Sequence, residues 1–366
     1  MKSYAIIMAG GVGARFWPYG SHKLPKQFLP IANSSDTMIQ LTVKRIKEII
    51  PLDRIFIVTN SQYAGQVKKQ VPRIPVENII GEPVGRNTAP CAGLAAIMLR
   101  QFDEKAKMLL VPADHLIEQE DEFQDVINMG LSFIENHDSI VTLGINPTHP
   151  ETGYGYIQYV DDAFLTVATN DLKKTNIYKV KTFAEKPTLE TAKQFLESGD
   201  FLWNSGMFIF RADVILKEIK RSLPDLHHEL LKVEKSIHTD KFRSALEKSY
   251  SNIKSISLDY GIMEKASNVY VIKSHFVWSD LGSWDEVFRI RSKDKNNNVI
   301  SGESFFVKDS SNNLIMSPNG FVGVIGVEDL IVINTGDGLL ICKRGRSQEV
   351  KEIVDYLKRK GLTDYL

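Results

Sequence analysis

The sequence predicts an α/β fold with a Rossmann-like, mostly parallel sheet, followed by a small β-rich domain. Near the N-terminus, apolar runs at 4–8 and 54–59 alternate with a predicted amphipathic helix at 37–50 and a predicted basic helix at 62–70. This order is typical of parallel strands joined by right-handed crossovers. Beyond residue 300, β-type runs recur roughly every 8 to 10 residues, which is typical of a small β-solenoid or meander. Ligands of open α/β sheets bind at the carboxyl ends of the strands, so the functional residues are expected there.

Charge and composition exclude several classes of function. The 366 residues include 45 Lys or Arg and 45 Asp or Glu, so no net charge attracts nucleic acid or a membrane surface. The two cysteines, Cys91 and Cys342, are too few for a disulfide framework and fit a reducing compartment. The apolar run at 4–8 is too short for a signal peptide, and no run approaches the roughly 20 residues that span a bilayer. We therefore expect a cytoplasmic protein that binds neither nucleic acid nor membrane.

The first strand leads into a glycine-rich turn that suits a polyphosphate. Glycines let the backbone turn tightly and bring its amide N–H groups to a ligand, and two cations, Arg15 and Lys26, follow. The turn is not a Walker loop, because no Gly-Lys-Ser/Thr closes it, and Phe16 stands where a Rossmann motif has its third glycine. Similar turns also occur in α/β proteins that bind no phosphate. The predicted nucleotide-binding residues of this turn are Ala9, Gly10, Gly11 and Gly13.

The residues of this region resemble a known signature. Gly-Gly-x-Gly-x-Arg, then Trp-Pro and Pro-Lys-Gln-Phe-Leu, are similar to the motif of sugar-1-phosphate nucleotidyltransferases. More narrowly, they resemble the mannose-1-phosphate guanylyltransferases, or GDP-mannose pyrophosphorylases. The resemblance implies a GT-A-like catalytic domain, placed at 1–290, and the later β-type runs form a predicted C-terminal domain at 291–366 with a closing helix. The sequence departs from the family's usual Leu-Trp-Pro-Leu-Ser-Arg at four positions, which are Phe16, Tyr19, Gly20 and Ser21.

A second loop, GEPVGRNTAP at 81–90, carries residues that suit guanine. A carboxylate such as Glu82 can accept hydrogen bonds from guanine N1–H and N2–H₂ as a pair, and a backbone amide or an Asn or Arg side chain can donate to O6. The loop also resembles the base-binding loop of the guanylyltransferases. We assign base recognition to Glu82, Asn87 and Thr88. The alternative is a structural loop in which Thr88 caps the next helix.

Two aspartates that follow predicted strands suit a magnesium ion. Asp114 comes after the buried run at 107–112, and Asp280 follows short strands and precedes a glycine turn. Mg²⁺ prefers one or two carboxylates together with phosphates and waters. The sequence, with the resemblance, predicts a Mg²⁺ site on Asp114 and Asp280, with His115 as a hydrogen-bonding neighbour. The alternative for Asp114 is the cap of an acidic helix at 118–134.

Five further residues suit a sugar phosphate. Glu185 and Lys186 lie in a segment similar to the family's Phe-Val-Glu-Lys-Pro, in which the Glu receives sugar hydroxyls and the Lys meets the sugar phosphate. The alternative is a surface ion pair. The resemblance also implies that Asp259 contacts mannose hydroxyls, with a helix cap as its alternative. The amide of Asn204 suits a vicinal diol, and Gly155 can offer a backbone amide to a hydroxyl.

These assignments imply the transfer of GMP from GTP to mannose 1-phosphate, which gives GDP-mannose and pyrophosphate. The attacking phosphate oxygen is already ionised, so the reaction needs positioning and charge neutralisation rather than a general base. We expect Arg15 and Lys26 to stabilise the leaving pyrophosphate, Lys186 to align the sugar phosphate, and Mg²⁺ to bridge both substrates at the α-phosphorus.

Three other functions compete with this one. A nicotinamide dehydrogenase would need a third glycine and an acidic residue after the second strand, where Thr59 and Asn60 stand. A non-catalytic regulatory paralogue is disfavoured because the predicted cations and metal ligands are intact. The same chemistry on another manno-configured sugar phosphate, such as a heptose 1-phosphate, stays open.

The C-terminal segment suggests a role in assembly. No histidine follows His275, so the metal ligands of a phosphomannose isomerase domain are lacking and we expect no isomerase activity. The predicted role of this segment is self-association, with a homodimer as the expected state.

Overall fold

The computed structural model describes residues 1–11, 13–32, 34–168 and 174–366. These residues form two compact units. Unit 1 comprises Met1–Gly10, Val43–Ala113 and Ile117–Trp278, and unit 2 comprises Gly11–Thr42, Asp114–Leu116 and Ser279–Leu366. Within the described residues, no helix combines the length and the apolar character needed to cross a bilayer. The sequence domains at 1–290 and 291–366 stay a prediction.

Unit 1 is built on a nine-stranded sheet with a parallel half and a mixed half. The strands are β1 (Ser3–Ala9), β2 (Ile55–Asn60), β3 (Ile79–Glu82), β4 (Lys107–Pro112), β6 (Ile140–Ile145), β7 (Gly155–Ala168), β8 (Lys174–Glu185), β9 (Phe201–Arg211) and β10 (Val269–Ser274). Two short strands, β5 (Leu116–Ile117) and β11 (Trp278–Ser279), lie where the chain changes unit.

The strand order brings several predicted residues to one edge of the sheet. The order is β3-β2-β1-β4-β9-β6-β10-β8-β7. The neighbours β3, β2, β1 and β4 are parallel, whereas β9 is antiparallel to both β4 and β6. Because parallel strands end at a common edge, Ala9 and Glu82 both lie at carboxyl ends of this parallel set.

The helices of unit 1 bury their apolar faces partly against this sheet and partly against one another. They are α2 (Ala64–Gln70), α3 (Thr88–Arg100), α4 (Glu120–Asn136), α5 (Leu189–Ser198), α6 (Ala212–Ser222), α7 (Pro224–Glu234) and α8 (Phe242–Asn252). Their ends follow local rules: Thr188 caps α5 by accepting from the amide of Thr191, and Gly199 ends that helix in the left-handed region. The core cluster of this unit includes Ile6, Leu94, Leu110, Phe208 and Ile215.

Helix α8 was not predicted from the sequence. Its residues Phe242, Leu246 and Tyr250 recur at four-residue spacing, which is the period of a helix face. Leu246 and Tyr250 are buried in the core cluster of unit 1. The signal was therefore present, although Ser and Lys residues dilute it.

The segment at 158–176 is polar and lacks a regular apolar pattern, from which we predict an irregular stretch or an exposed hairpin, but it belongs mostly to strands. Strands β7 and β8 pair antiparallel from Gly155 opposite Glu185 to Ala168 opposite Lys174. The pairing confirms the hairpin, and residues 169–173 lie outside the described residues.

Unit 2 combines the N-terminal loop region with the β-rich C-terminal segment. Its strands are β12 (Val299–Lys308), β13 (Leu314–Ile325), β14 (Leu330–Asn334) and β15 (Leu339–Lys343). The first three are parallel, as in a solenoid, and β15 returns antiparallel to β14. The helices are α9 (Trp284–Ile290) and α10 (Val350–Lys360), and α1 (Met38–Ile46) begins in this unit and ends in unit 1. The core cluster includes Phe16, Leu29, Trp284, Leu314 and Ile331.

Candidate active site

In unit 2, a buried lysine brings the two predicted metal ligands together. Lys26 begins a short 3₁₀ turn after Pro25 and is only 5% exposed. Its Nζ donates a hydrogen bond to Asp114 Oδ2 at 2.9 Å and another to the main-chain oxygen of Asp280. The two aspartates therefore lie around a single ammonium group, one through its carboxylate and the other through its backbone.

The turn that carries Asp280 has an unusual backbone. Leu281 is buried and has φ of 46°, in the left-handed region that a residue with a side chain seldom occupies. A Cβ on Gly282 would lie 3.1 Å from both carboxylate oxygens of Asp280, so this position leaves room for the carboxylate. Arg15 Nη1 donates to the main-chain oxygen of Gly282 at 3.2 Å. A hydrogen bond therefore connects Arg15, a predicted phosphate-binding residue, to the turn that carries Asp280.

The glycine turn lies close to the same lysine. Gly13 has φ of 63°, and a Cβ on it would stand 2.7 Å from Lys26 Cβ and 3.2 Å from Lys26 N. It precedes the 3₁₀ turn Ala14–Phe16, which carries Arg15. A Cβ on Gly11, in contrast, would meet nothing within 4 Å. Gly13 is therefore required by the packing of the loop, whereas Gly11 is not.

The charges of this cluster suit a divalent cation. Burial raises the pKa of Asp114, but the nearby Lys26 ammonium and His115 lower it by more, so its pKa lies below the usual range. Asp114 is therefore a carboxylate at neutral pH. Carboxylate oxygens are the ligands that Mg²⁺ prefers, so the donor set of Asp114 and Asp280 fits such an ion.

In unit 1, Glu82 presents a buried carboxyl group at the end of β3. It is 5% exposed, and burial raises its pKa to about 7, although a hydrogen bond from the Tyr250 hydroxyl opposes that shift. A Cβ on Gly10 would lie 3.9 Å from Glu82 Oε2. The backbone oxygen of Ala9 accepts a hydrogen bond from the Thr59 hydroxyl at 2.8 Å. Glu82 and the first predicted residues of the nucleotide turn are thus close to each other.

The rest of the base loop is held in an unusual conformation. Asn87 has φ of 71° and ψ of −171°, a region that glycine normally occupies. Its Oδ1 accepts from the amide of Thr88, and it is the N-cap of α3. The alternative in which Thr88 is the cap is therefore wrong, because α3 already begins at Thr88. The Thr88 hydroxyl instead accepts from the amide of Leu258 at 2.8 Å.

The predicted sugar ligands form a second cluster in unit 1. Asn204 Nδ2 donates to Asp259 Oδ1 at 2.9 Å, and Lys186 Nζ lies 3.0 Å from Glu185 Oε1. A Cβ on Gly155 would stand 2.5 Å from Glu185 Oε2. Burial and the charge of Glu185 raise the pKa of Asp259 to about 6. All five predicted residues are therefore brought together.

Neither Asp114 nor Asp259 acts as a helix cap. Asp259 begins a π-helical turn, Asp259–Met263, whose cap is Leu258, and α4 begins at Glu120 with Gln119 as its cap. The cap alternatives for Asp259 and Asp114 are therefore wrong. Irregular helical turns of this π type occur frequently at functional sites.

One residue that contacts the base loop, Tyr250 on α8, was not predicted. Its hydroxyl donates a hydrogen bond to Glu82 Oε1 at 2.9 Å, and Arg86 Nε, within the loop, donates to its main-chain oxygen at 2.8 Å. Local sequence patterns do not indicate contacts between residues as far apart as Glu82 and Tyr250, which are 168 positions apart. Only the recognition of α8 as a buried helix could have suggested Tyr250.

Family comparisons define the class of the protein. A model of the nucleotidyl transferase family matches residues 4–297, and a model of the MannoseP isomerase/GMP-like beta-helix domain matches residues 305–357. The fold and both matches describe a nucleotidyltransferase, an enzyme, with a C-terminal β-helix domain. The predicted fold class is confirmed.

Individual relatives narrow the class. The mannose-1-phosphate guanylyltransferase RfbM of Salmonella typhimurium is 36% identical over 370 residues, covering 100% of this chain and 74% of the relative. A mannose-1-phosphate guanylyltransferase of Klebsiella pneumoniae is 37% identical over 364 residues, covering 98% of this chain and 75% of the relative. The chain belongs to the mannose-1-phosphate guanylyltransferase family of nucleotidyltransferases, as the resemblance in its sequence implied.

Solved structures with the same fold are also known. One from Thermus thermophilus, described as a mannose-1-phosphate geranyltransferase, has a TM-score of 0.85 and 30% identity, and the match covers 98% of this chain and 100% of that one. One from Helicobacter pylori, described as a mannose-6-phosphate isomerase, has a TM-score of 0.60 and 25% identity over 76% of this chain and 100% of that one.

Nucleotidyltransferases of this kind generally use a divalent metal ion.

The two glycines of the turn should respond differently to alanine. Gly13→Ala should lower the free energy of unfolding by about 1–3 kcal/mol, because alanine at positive φ is strained and its Cβ meets Lys26. Gly11→Ala is the matched control and should change it by less than about 0.5 kcal/mol. Urea unfolding would measure both, and equal effects of the two substitutions would contradict this account of the turn.

Proposed function

We propose that this enzyme transfers GMP from GTP to mannose 1-phosphate, with GDP-mannose and pyrophosphate as products. The observation that carries the proposal is the cluster in which Lys26 contacts Asp114 and the backbone of Asp280. A cluster of this composition suits a metal–triphosphate complex. The names of the relatives supply the substrates. The enzyme acts in the cytoplasm, where free thiols such as Cys91 and Cys342 stay reduced.

The reaction is an in-line displacement at the α-phosphorus of GTP. A new bond forms between a phosphate oxygen of mannose 1-phosphate and the α-phosphorus, the bond from that phosphorus to the bridging oxygen breaks, and pyrophosphate leaves. No proton has to be removed from the nucleophile, because the sugar phosphate is an anion at neutral pH. The protein therefore contributes positioning and charge neutralisation.

Asp114 and Asp280 would hold a magnesium ion, which would supply positive charge to the phosphate oxygens of both substrates. Arg15 and Lys26 add fixed positive charge for the leaving pyrophosphate. Lys26 also pairs with Asp114 at 2.9 Å, so that it orients a metal ligand before any substrate arrives. The glycine turn directs backbone amides to the phosphates.

The base and the sugar are bound by the two clusters of unit 1. Glu82 accepts hydrogen bonds from guanine N1–H and N2–H₂, while Asn87 and Thr88 complete the base loop. Glu185, Asn204 and Asp259 receive the mannose hydroxyls. Lys186, adjacent to Glu185, meets the sugar phosphate, and the amide of Gly155 faces a hydroxyl.

The enzyme acts as a homodimer. The support is a set of large apolar side chains that stay exposed on strands β12, β13 and β15, which are Phe306, Phe321, Ile325, Leu339 and Ile341. An apolar surface of this kind is typical of a contact between protein chains.

Purified protein should release pyrophosphate from GTP with mannose 1-phosphate at least about tenfold faster than from ATP, UTP or dTTP, because only guanine offers paired donors to Glu82. The measurement is kcat/KM over a panel of nucleotides and manno-configured sugar 1-phosphates. A higher value with a heptose 1-phosphate would favour the alternative sugar. The absence of pyrophosphate release with every pair would favour a non-catalytic paralogue.

Removal of a metal ligand should abolish most of the activity. Asp114→Asn should lower kcat by at least about a hundredfold, because the ion contributes several kcal/mol of charge stabilisation. Chelation of divalent ions from the unmodified enzyme should do the same, and added Mg²⁺ should restore the rate. Asp121→Asn, in the first turn of α4, is the control and should leave kcat within about twofold. A chelator-treated enzyme with full activity would contradict the metal assignment.

The mass in solution should be twice the 41.3 kDa of one chain when it is measured by light scattering. Phe321→Lys should shift the mass toward that of a monomer, because Phe321 is 68% exposed on β13. Phe102→Lys, at a residue that is 65% exposed elsewhere, is the matched control and should leave the mass unchanged. A monomeric unmodified protein would contradict the proposed dimer.

A further inference from the structure

A buried tyrosine on α8 contacts the carboxyl group that we propose for base recognition. The side chain of Tyr250 is fully buried, and its hydroxyl donates to Glu82 Oε1 at 2.9 Å. The residues are 168 positions apart, so the contact depends on the packing of α8 against the end of β3. One oxygen of Glu82 is thereby fixed.

The other oxygen of Glu82 points toward the nucleotide turn. A Cβ on Gly10 would lie 3.9 Å from Oε2. Each carboxylate oxygen has two lone pairs, so Oε1 can accept from Tyr250 and still accept from a ligand. The hydrogen bond therefore orients the carboxylate without using up its capacity to accept a pair of donors.

The same end of α8 also fixes the backbone of the base loop. Arg86 Nε donates to the main-chain oxygen of Tyr250 at 2.8 Å, and the main-chain oxygen of Arg86 accepts from the amide of Ile256 at 3.2 Å. A guanidinium at the C-terminus of a helix is favoured by the helix dipole. Tyr250 thus contacts both the side chain of Glu82 and Arg86 of the loop, and Ile256, shortly after α8, adds a backbone contact to the loop.

The electrostatic surroundings of Glu82 make this hydrogen bond important. The titratable groups that face Glu82 are Tyr250 on α8 and Cys91 on α3, and the pKa of each lies well above its usual value, so both are neutral. Burial raises the pKa of Glu82 to about 7, and the hydrogen bond from Tyr250 opposes the rise. Without it, the pKa of Glu82 would be higher still, so more of the carboxyl group would be protonated at neutral pH and would present an O–H donor.

We propose that Tyr250 is a positioning residue that sets the preference for guanine nucleotides, because it orients Glu82 and keeps it an acceptor. This inference rests on the proposed function, in which Glu82 accepts the N1–H and N2–H₂ donors of guanine. Tyr250 acts through Glu82 and does not itself touch the nucleotide.

The test is Tyr250→Phe, which removes the hydroxyl and keeps the ring. We would measure kcat/KM for GTP and for ATP, with mannose 1-phosphate, from pH 6 to pH 9. At pH 7 the ratio of GTP to ATP should fall about tenfold, as for the loss of a hydrogen bond to a charged group. In the variant, kcat/KM for GTP should begin to rise at a higher pH than in the unmodified enzyme. At pH values above that rise, the preference for GTP over ATP should recover. A purely structural defect would not recover in this way.

Two further variants keep the test decisive. Tyr4→Phe removes a phenolic hydroxyl from the same core cluster and should leave the ratio and the pH profile unchanged. Glu82→Gln cannot titrate, so it should lack the pH-dependent rise, and adding Tyr250→Phe to it should change the ratio no further. A Tyr250→Phe enzyme with the unmodified ratio and pH profile would overturn the inference, as would additive effects in the double variant. If the unmodified enzyme itself shows no preference for GTP, it is the proposed function that fails.

Discussion

The ammonium of Lys26 constrains the acidic side of the candidate active site. A buried lysine is costly unless its charge is paired and hydrogen-bonded, and here its partners are the Asp114 carboxylate and the backbone of Asp280. An ion pair of this kind contributes little net stability, since desolvation offsets the attraction, but it fixes a geometry. Lys26 therefore orients the side chain of Asp114 and holds the backbone of the turn that carries Asp280, and Gly13 is the residue that leaves room for Lys26.

Backbone strain is found where these charged groups are presented. Leu281, Asn87 and Lys186 all have positive φ, and each belongs to or adjoins a predicted site. Such conformations cost of order 1–3 kcal/mol each and persist only where the surroundings hold them. The Asp280 turn is held by Arg15 and by the burial of Leu281, and the base loop is held by α8. The strain is thus balanced by packing that also sets the position of the functional side chains.

Much of the fold could be predicted because local sequence patterns indicate its strands and turns. The buried strands β1, β2 and β4 are continuous apolar runs, and the glycine turn that follows β1 is visible in the sequence. The clusters around Lys26 and Asp259 contain the residues that resemblance to a family suggested. What the sequence could not show was the pairing between them. Lys26 was expected to face pyrophosphate, and nothing local indicates that it also contacts Asp114, 88 residues away. Tyr250 was missed for the same reason, since its partner lies on a distant strand.

The two raised pKa values connect recognition with stability. Glu82, with a pKa of about 7, and Asp259, with a pKa of about 6, both titrate above the usual carboxyl range because burial disfavours their charged forms. Because these pKa values are raised in the folded state, protonation of the two groups stabilises the fold. This contribution to the free energy of unfolding is complete below about pH 4 and is lost as the pH rises through 6 and 7. At neutral pH the free enzyme therefore holds part of Glu82 and most of Asp259 as buried carboxylates. The hydrogen bonds from Tyr250 and Asn204 compensate for this burial only in part, so further hydrogen bonds would stabilise the charged forms. A ligand with paired donors supplies those bonds to Glu82, as guanine does, and sugar hydroxyls supply them to Asp259. Adenine presents an acceptor, N1, where guanine has a donor, so it would leave the buried charge of Glu82 unpaired. A site that depends on such a group rejects the wrong base more strongly than it attracts the right one.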